Sequence, residues 1–272
     1  MTPSIRSALP FLSAACLLLA GCVGEAESAL EQSEHAAPEE VEPAGEPLLH
    51  ENALSLNALS LNALSPSALS SIQAPGPSGQ LARHALRYIV SCSLGKSASF
   101  GFSWVDSAGV QHAENYPGLL GLASGWASGP IGEVEERWVS ACLMARANWY
   151  GVSVLISSRG HHGELKKATD QELAEFTHPE GAFWGNLFSD TPEAYACYEP
   201  AEVAYVRQKQ RDCAAGHLGT QGMIQGCGMI QILGACENYC KQPQPKWGYR
   251  KDCQVAPGSA SKTDQVMTVF LD

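Results

Sequence analysis

Apolar side chains recur at three- and four-residue intervals in two stretches of the chain, the mark of a helix with one buried face. From Ser78 onward, Leu81, Ala85, Leu86, Ile89 and Cys92 share one stripe, and Gly95 is placed to end it. Over residues 132–150, Val134, Trp138, Cys142 and Ala145 continue a stripe begun by Ile131, with Val139, Leu143 and Arg146 beside it. Glu133, Glu135 and Glu136 crowd the first turn, where the helix dipole favours negative charge, and Gly151 is the expected terminator. Between the helices, Phe100, Phe102 and Trp104 alternate with small residues, which is strand spacing. Residues 106–109 read as a turn and 110–116 as the returning strand, before a Gly/Ser/Pro loop over 117–130. The apolar, β-branched run 152–157 predicts a buried strand. Weaker patterns predict a short helix over 170–176 and strands over 194–198, 202–206 and 266–271. The expected fold class is α+β: two main helices against a small, mostly antiparallel sheet, followed by a disulfide-rich loop region.

The first 77 residues have a different texture. Arg6 precedes an apolar run from Leu9 to Ala20 that ends in Leu19-Ala20-Gly21-Cys22. The run is too short to span a bilayer and has the length of a signal-peptide core. Residues 23–51 then hold nine Glu and no Lys or Arg, so like charges repel and extend the chain. Four five-residue repeats follow, starting at Asn52, Asn57, Asn62 and Ser67, each with Ala-Leu-Ser at its second to fourth positions. Four copies supply one coil of a solenoid, which needs stacked neighbours to bury a core. In a helix, a five-residue period smears the leucines around the axis. A tether with apolar beads is the reading that remains. The resulting division is a leader over 1–22, a tether over 23–77, an α+β core over 78–196 and a Cys-rich section over 197–272 packed on it. Net charge is −11 overall, but most of it lies in the tether and the rest is close to neutral, with no dense basic patch. Nucleic-acid binding is excluded on that ground.

Setting aside Cys16 in the leader and Cys22, eight cysteines remain: Cys92, Cys142, Cys197, Cys213, Cys227, Cys236, Cys240 and Cys253. An even count outside the cytoplasm implies up to four disulfides. Cys92 and Cys142 lie on the two apolar helix stripes and are paired in this reading, leaving the other six to pair among themselves. The rival is a zinc site built from Cys236, Cys240, Cys227 and His217. An oxidising compartment favours the bridges, so no metal and no cofactor is expected.

Two clusters carry candidate chemistry. His161, His162 and Glu164 follow the strand expected at 152–157, where loops often hold functional groups, and offer a base with an orienting carboxylate. The segment 180–188 sets Trp184 between glycines, as a platform for a sugar face, with Asn186 or Glu180 to bond hydroxyls. The alternatives are a polar surface turn for the first and core packing for the second. No nucleophile elbow or phosphate-binding loop is present in the sequence. A small duplication, Gly222-Met-Ile-Gln225 and Gly228-Met-Ile-Gln231, reads as a lid or a floppy loop.

Leu19-Ala20-Gly21-Cys22 resembles the bacterial lipobox, which implies cleavage before Cys22, a diacylglycerol on its thiol and acylation of its amine. That lipobox, the Asn-Ala-Leu repeats, Trp138-Val-Ser-Ala-Cys-Leu-Met-Ala-Arg-Ala-Asn148, Ser158-Arg-Gly160, Glu180-Gly-Ala-Phe-Trp-Gly-Asn-Leu-Phe188 and Cys227-Gly resemble a set of uncharacterised lipoproteins and exported proteins of myxobacteria. The resemblance implies a lipid-anchored protein of the cell envelope and says nothing of activity. Val23 is not Asp, which under the enterobacterial sorting habit points to the outer membrane. The membrane is the partner through Cys22. The favoured expectation is a binding or structural module with a glycan or protein ligand. The alternative is an extracytoplasmic hydrolase acting on envelope or extracellular polymers, centred on His161, His162 and Glu164.

Overall fold

In a computed structural model of the chain, residues 49–50 and 70–272 are described, with side chains from Ile72 onward. The leader, Cys22, the acidic stretch to residue 48 and the repeats over 51–69 lie outside the described residues. In chain order the elements are β1 (Leu49–His50), α1 (Gly76–Ser93), β2 (Ser99–Val105), β3 (Gln111–Pro117), α2 (Glu133–Arg146), β4 (Ile156–Gly160), α3 (Asp170–Glu175), β5 (His178–Asn186), β6 (Glu193–Tyr198), α4 (Val203–Gln208), β7 (His217–Leu218), β8 (Ile224–Gln225), β9 (Gln231–Ala235) and β10 (Met267–Leu271). The domain is α+β, as expected.

Its centre is a six-stranded sheet in the order β1-β4-β10-β5-β6-β9, antiparallel except between β6 and β9. The last strand of the chain, β10, sits between β4 and β5. The Cys-rich section is therefore woven into the sheet as well as packed on it. Leu49–His50, within the stretch expected as tether, pairs with β4 at the sheet's edge.

Alternation sends the residues of β5 to two different cores. Phe183 points to a large core shared with α2, Met267, Val269 and Leu271. Its neighbours Ala182 and Trp184 point the other way, into a core made with Cys197, Cys236, Cys240 and Cys253. One face of the sheet is thus covered by α2, and the other by disulfide-linked loops. The Cys92–Cys142 bridge ties α1 to α2, and the β2–β3 hairpin lays Phe100, Phe102 and Tyr116 on α1. The other bridges are Cys197–Cys236, Cys213–Cys227 and Cys240–Cys253, so the six C-terminal cysteines do pair among themselves. Every sulfur of the zinc alternative is spent in a bridge.

Three expected elements are corrected. The strand expected at 152–157 begins only at Ile156, and Val152 and Leu155 are exposed. The buried strand is instead the polar run Ser157-Ser158-Arg159. Ser157 Oγ donates to Glu172, and Arg159 donates to Ser157 Oγ and to the carbonyl oxygens of Phe176 and Trp247. Ser157 and Arg159 thus bury with hydrogen-bond partners, whereas Ser158 Oγ is buried with none among the described residues. The strand expected at 202–206 is the helix α4, in which Val206 is buried and Tyr205 stacks on His178 at 3.9 Å. Helix α2 stops at Arg146, short of Gly151, because Ala147 turns extended.

That early stop depends on Arg211. Its guanidinium donates to the carbonyl oxygens of Ala145 (3.0 Å) and Ala147 (3.1 Å), acceptors that a helix end leaves open. It also pairs with Glu180 of β5, whose other oxygen accepts from the Ala214 amide at 3.3 Å. Both side chains are almost wholly buried. Burial pushes the Glu180 carboxyl up from its ordinary value, against the pull of Arg211. Removing one partner of such a pair strands a charge in the core, so Arg211→Leu is expected to cost about 3–5 kcal/mol. Glu180→Leu with Arg211→Leu should cost clearly less than the two single changes added together, read by urea unfolding of the four chains.

Candidate functional site

The chain beyond α2 is wired by Asn148. Its side-chain amide donates to the Val152 carbonyl oxygen at 2.7 Å, and its oxygen accepts from the Tyr150 amide at 3.2 Å. The tight turn presents Trp149 half-buried and Tyr150 outward. Opposite lies the segment that follows Arg211. Asp212 is buried, and its Oδ2 meets His217 Nδ1 at 2.7 Å. The His217 ring stacks on Trp149 with centroids 4.4 Å apart and planes 7° apart, and Tyr150 meets it edge-on at 5.4 Å. Burial, and then the Asp212 charge, push the Tyr150 hydroxyl up from its ordinary value. Arg207 donates to the Gly216 carbonyl oxygen at 2.9 Å. Asp212 Oδ1 and Arg207 Nε are buried with no hydrogen-bond partner among the described residues. Chemically, this is an imidazole oriented by a buried carboxylate and clamped by aromatic rings, with its side chain 20% exposed.

His217 opens the small β7–β8 hairpin, whose base is closed by Cys213–Cys227. Gly216 makes the closure possible. It has φ +81°, and a Cβ there would lie 2.5 Å from Ile224 Cγ2 and 2.6 Å from Ile232 Cδ1. Leu218, Met223 and Ile224 project from the hairpin, 46%, 61% and 53% exposed. The duplicated tetrapeptide is therefore used in two opposite ways. Its first copy exposes Met223 and Ile224. The second packs Met229 and Ile230 against the main core.

The residues singled out in the sequence do not converge. His161 Nδ1 faces Asp264 at 3.6 Å, and the ring stacks on Tyr249. His162 turns the other way, edge-on to Trp138, and its Nδ1 accepts from the Glu164 amide at 3.2 Å. Burial lowers the His162 pKa below its ordinary value and favours the neutral ring that can accept this bond. The Glu164 carboxylate pairs with Lys167. The three side chains thus face different partners, and the bond within the set is the Glu164 amide on His162 Nδ1. Trp184 is 2% exposed, walled by cystines and Tyr195, so it offers no face to a sugar. Asn186 is equally buried. It donates to Glu136 at 2.9 Å and accepts from the Phe188 amide, joining β5 to α2. Depressions of about 310 and 260 Å³ lie beside the β2–β3 hairpin and α1 respectively, and none of the five residues lines either.

The Asp212–His217–Trp149–Tyr150 cluster has no short motif behind it. Asp212 and His217 are five residues apart in a glycine-rich loop, and the aromatic pair sits in what reads as the last turn of a helix. The legible signal is the lack of charge around His217. The chain matches no protein-family model, no curated protein and no solved structure. No helix among the described residues is long and apolar enough to cross a membrane.

The two copies of the tetrapeptide should respond differently to the same change. Met223→Ser with Ile224→Ser should shift unfolding free energy by no more than about 0.5 kcal/mol, as surface changes do. Met229→Ser with Ile230→Ser should cost on the order of 4 kcal/mol, as core truncation does. Parallel urea titrations read both.

Proposed function

We propose that this chain is an envelope lipoprotein, anchored through acyl chains on Cys22, whose disulfide-stapled α+β domain is a binding module rather than an enzyme. The observation that carries the reading is the complete pairing of the eight cysteines beyond residue 77. Four buried cystines belong to a chain folded outside the reducing cytoplasm. The apolar leader ending in Leu19-Ala20-Gly21-Cys22 supplies the route there and the anchor. Val23 directs it to the outer membrane in this reading, and the acidic segment after it is the tether. The two main helices brace one side of the sheet, and the cystine loops brace the other. The binding face is the exposed side of Tyr150 and His217 with the β7–β8 hairpin. A protein, glycan or lipid surface suits it better than nucleic acid, since the segment offers no cations for phosphates.

A second reading, an extracytoplasmic hydrolase, is favoured by one observation. A buried carboxylate orienting a partly exposed imidazole is the geometry of a general base. Its centre in that case is Asp212 and His217, not His161, His162 and Glu164. Cleavage of an envelope polymer that is lost in His217→Gln, with all disulfides intact, would overturn the binding reading.

The direct test is the intact mass of the mature chain, alkylated under denaturing conditions before and after reduction. The expected result is a chain starting at an acylated Cys22, with no free thiol before reduction and eight after. Cleavage at another position, or two or more free thiols before reduction, would sink the proposal.

A further inference from the structure

From Ala214 to Cys236 the chain contains no Lys, Arg, Asp or Glu, and His217 is its one ionisable side chain outside the disulfides. The same stretch holds Met223, the most exposed large apolar side chain among the described residues, together with exposed Leu218 and Ile224. We propose that the β7–β8 hairpin is a bilayer-docking element. Leu218, Met223 and Ile224 enter the interfacial region of a neutral phospholipid leaflet, and Tyr150 sits at its boundary with water. The inference rests on the lipid-anchored reading above, because three side chains make a weak contact that an anchor renders persistent by raising local concentration.

Four features favour a bilayer over a protein as the occupant. Part of the hairpin's backbone is paired within itself. Leu218 pairs with Ile224, the Gly219 amide donates to Met223 O at 2.9 Å, and the Gly222 amide donates to Gly219 O at 2.9 Å. Backbone groups satisfied in this way enter a low-dielectric medium at small cost. The hairpin is also rigid at its base, held by Cys213–Cys227 and by the close contact of Gly216 with Ile232, so little order is lost on docking. Tyr150 supplies the amphipathic ring typical of membrane interfaces, next to His217. Finally, the segment carries none of the charged groups from which a protein interface builds its polar rim.

The tether does not choose the face. Cys22 and Leu49 are 27 residues apart, a span of up to about 90 Å when extended, so any side of the domain can reach the leaflet. The choice falls to the domain's own surface. The nearby cation, Arg207, is turned inward to the Gly216 carbonyl, so attraction to anionic headgroups plays no part. Docking should therefore be insensitive to salt and need no acidic lipid, unlike docking by a basic cluster.

The test uses the full mature chain in phosphatidylcholine vesicles, with and without bromine on the acyl chains. Ile224→Trp places a reporter on the exposed start of β8, and Thr220→Trp is the alternative reporter on the exposed turn. Brominated lipid should quench the added indole and leave the emission of the parent chain's own tryptophans nearly unchanged, to the same degree in low and high salt. Adding Leu218→Asp and Met223→Asp should abolish the quenching, while the thiol count before reduction stays at zero. The intact mass of the same sample reads the anchor separately, so loss of the anchor and failure of the hairpin to dock are told apart. An added indole with equal emission in both vesicles, on a chain shown to carry its acyl groups, overturns the inference. Quenching that appears only with anionic lipid, or that survives the two aspartates, overturns it as well.

Discussion

Arg211 is the point through which the rest of the site is positioned. One guanidinium takes a carbonyl oxygen in the last turn of α2 and that of the capping Ala147, pairs with Glu180 in β5, and begins the loop that carries Asp212 and Cys213. A helix end, a central strand and a bridged loop therefore meet at one buried charge. The net energy of such a pair is modest, because burial costs much of what the attraction returns. Its contribution is geometric. If α2 ran on toward Gly151, Trp149 would be one more residue of its last turn. With α2 stopped at Arg146, Trp149 stacks on His217, and His217 is held by the residue adjacent to Arg211.

The same economy shapes the sheet. A sheet covered by helix on one face usually leaves the other to solvent or to a second layer of regular structure. Here the second layer is loop, and loops carry backbone polar groups that resist burial. The cystines answer this. Cys197, Cys236, Cys240 and Cys253 put sulfur against Trp184 and Ala182, and Cys197 Sγ lies 3.9 Å from Cys240 Sγ, so two bridges pack side by side as a small apolar core. The bridges serve as core material and as closures at once. That explains how a section rich in Gly, Gln and Pro can cover a strand as hydrophobic as Ala182-Phe183-Trp184.

What the sequence revealed follows from this layering. Helix α1, the β2–β3 hairpin and the Cys92–Cys142 bridge are legible because each element buries one face and wets the other, and such patterns have a period. Strand β5 is illegible because both of its faces are buried and the period is erased. Strand β4 misleads more actively. Its apolar neighbours Val152 and Leu155 are exposed, while Ser157 and Arg159 are buried in a hydrogen-bonded network that no local pattern announces. The candidate side chains read from the sequence lie apart for a related reason. Adjacent His161 and His162 turn to different partners, and an aromatic flanked by glycines proved to be core because the glycines admit close packing. The Asp212–His217 pair needs a tertiary turn to form, and its spacing carries no mark of it.

Fold and function separate most clearly in the duplicated tetrapeptide. Gly-Met-Ile-Gln occurs twice within ten residues, once inside the loop closed by Cys213–Cys227 and once just beyond Cys227. The four residues are the same in the two copies, and their place in the fold differs. The second copy leads into β9, and Ile230 buries as the main core requires. The first has the same apolar pair to bury, yet the hairpin holds it outward, against the hydrophobic effect. Its backbone bonds and the bridge at its base stabilise that display without help from the two side chains. An apolar pair kept exposed by rigid structure, in a segment cleared of charge, contributes little to folding, and its contribution lies in what it meets outside the domain.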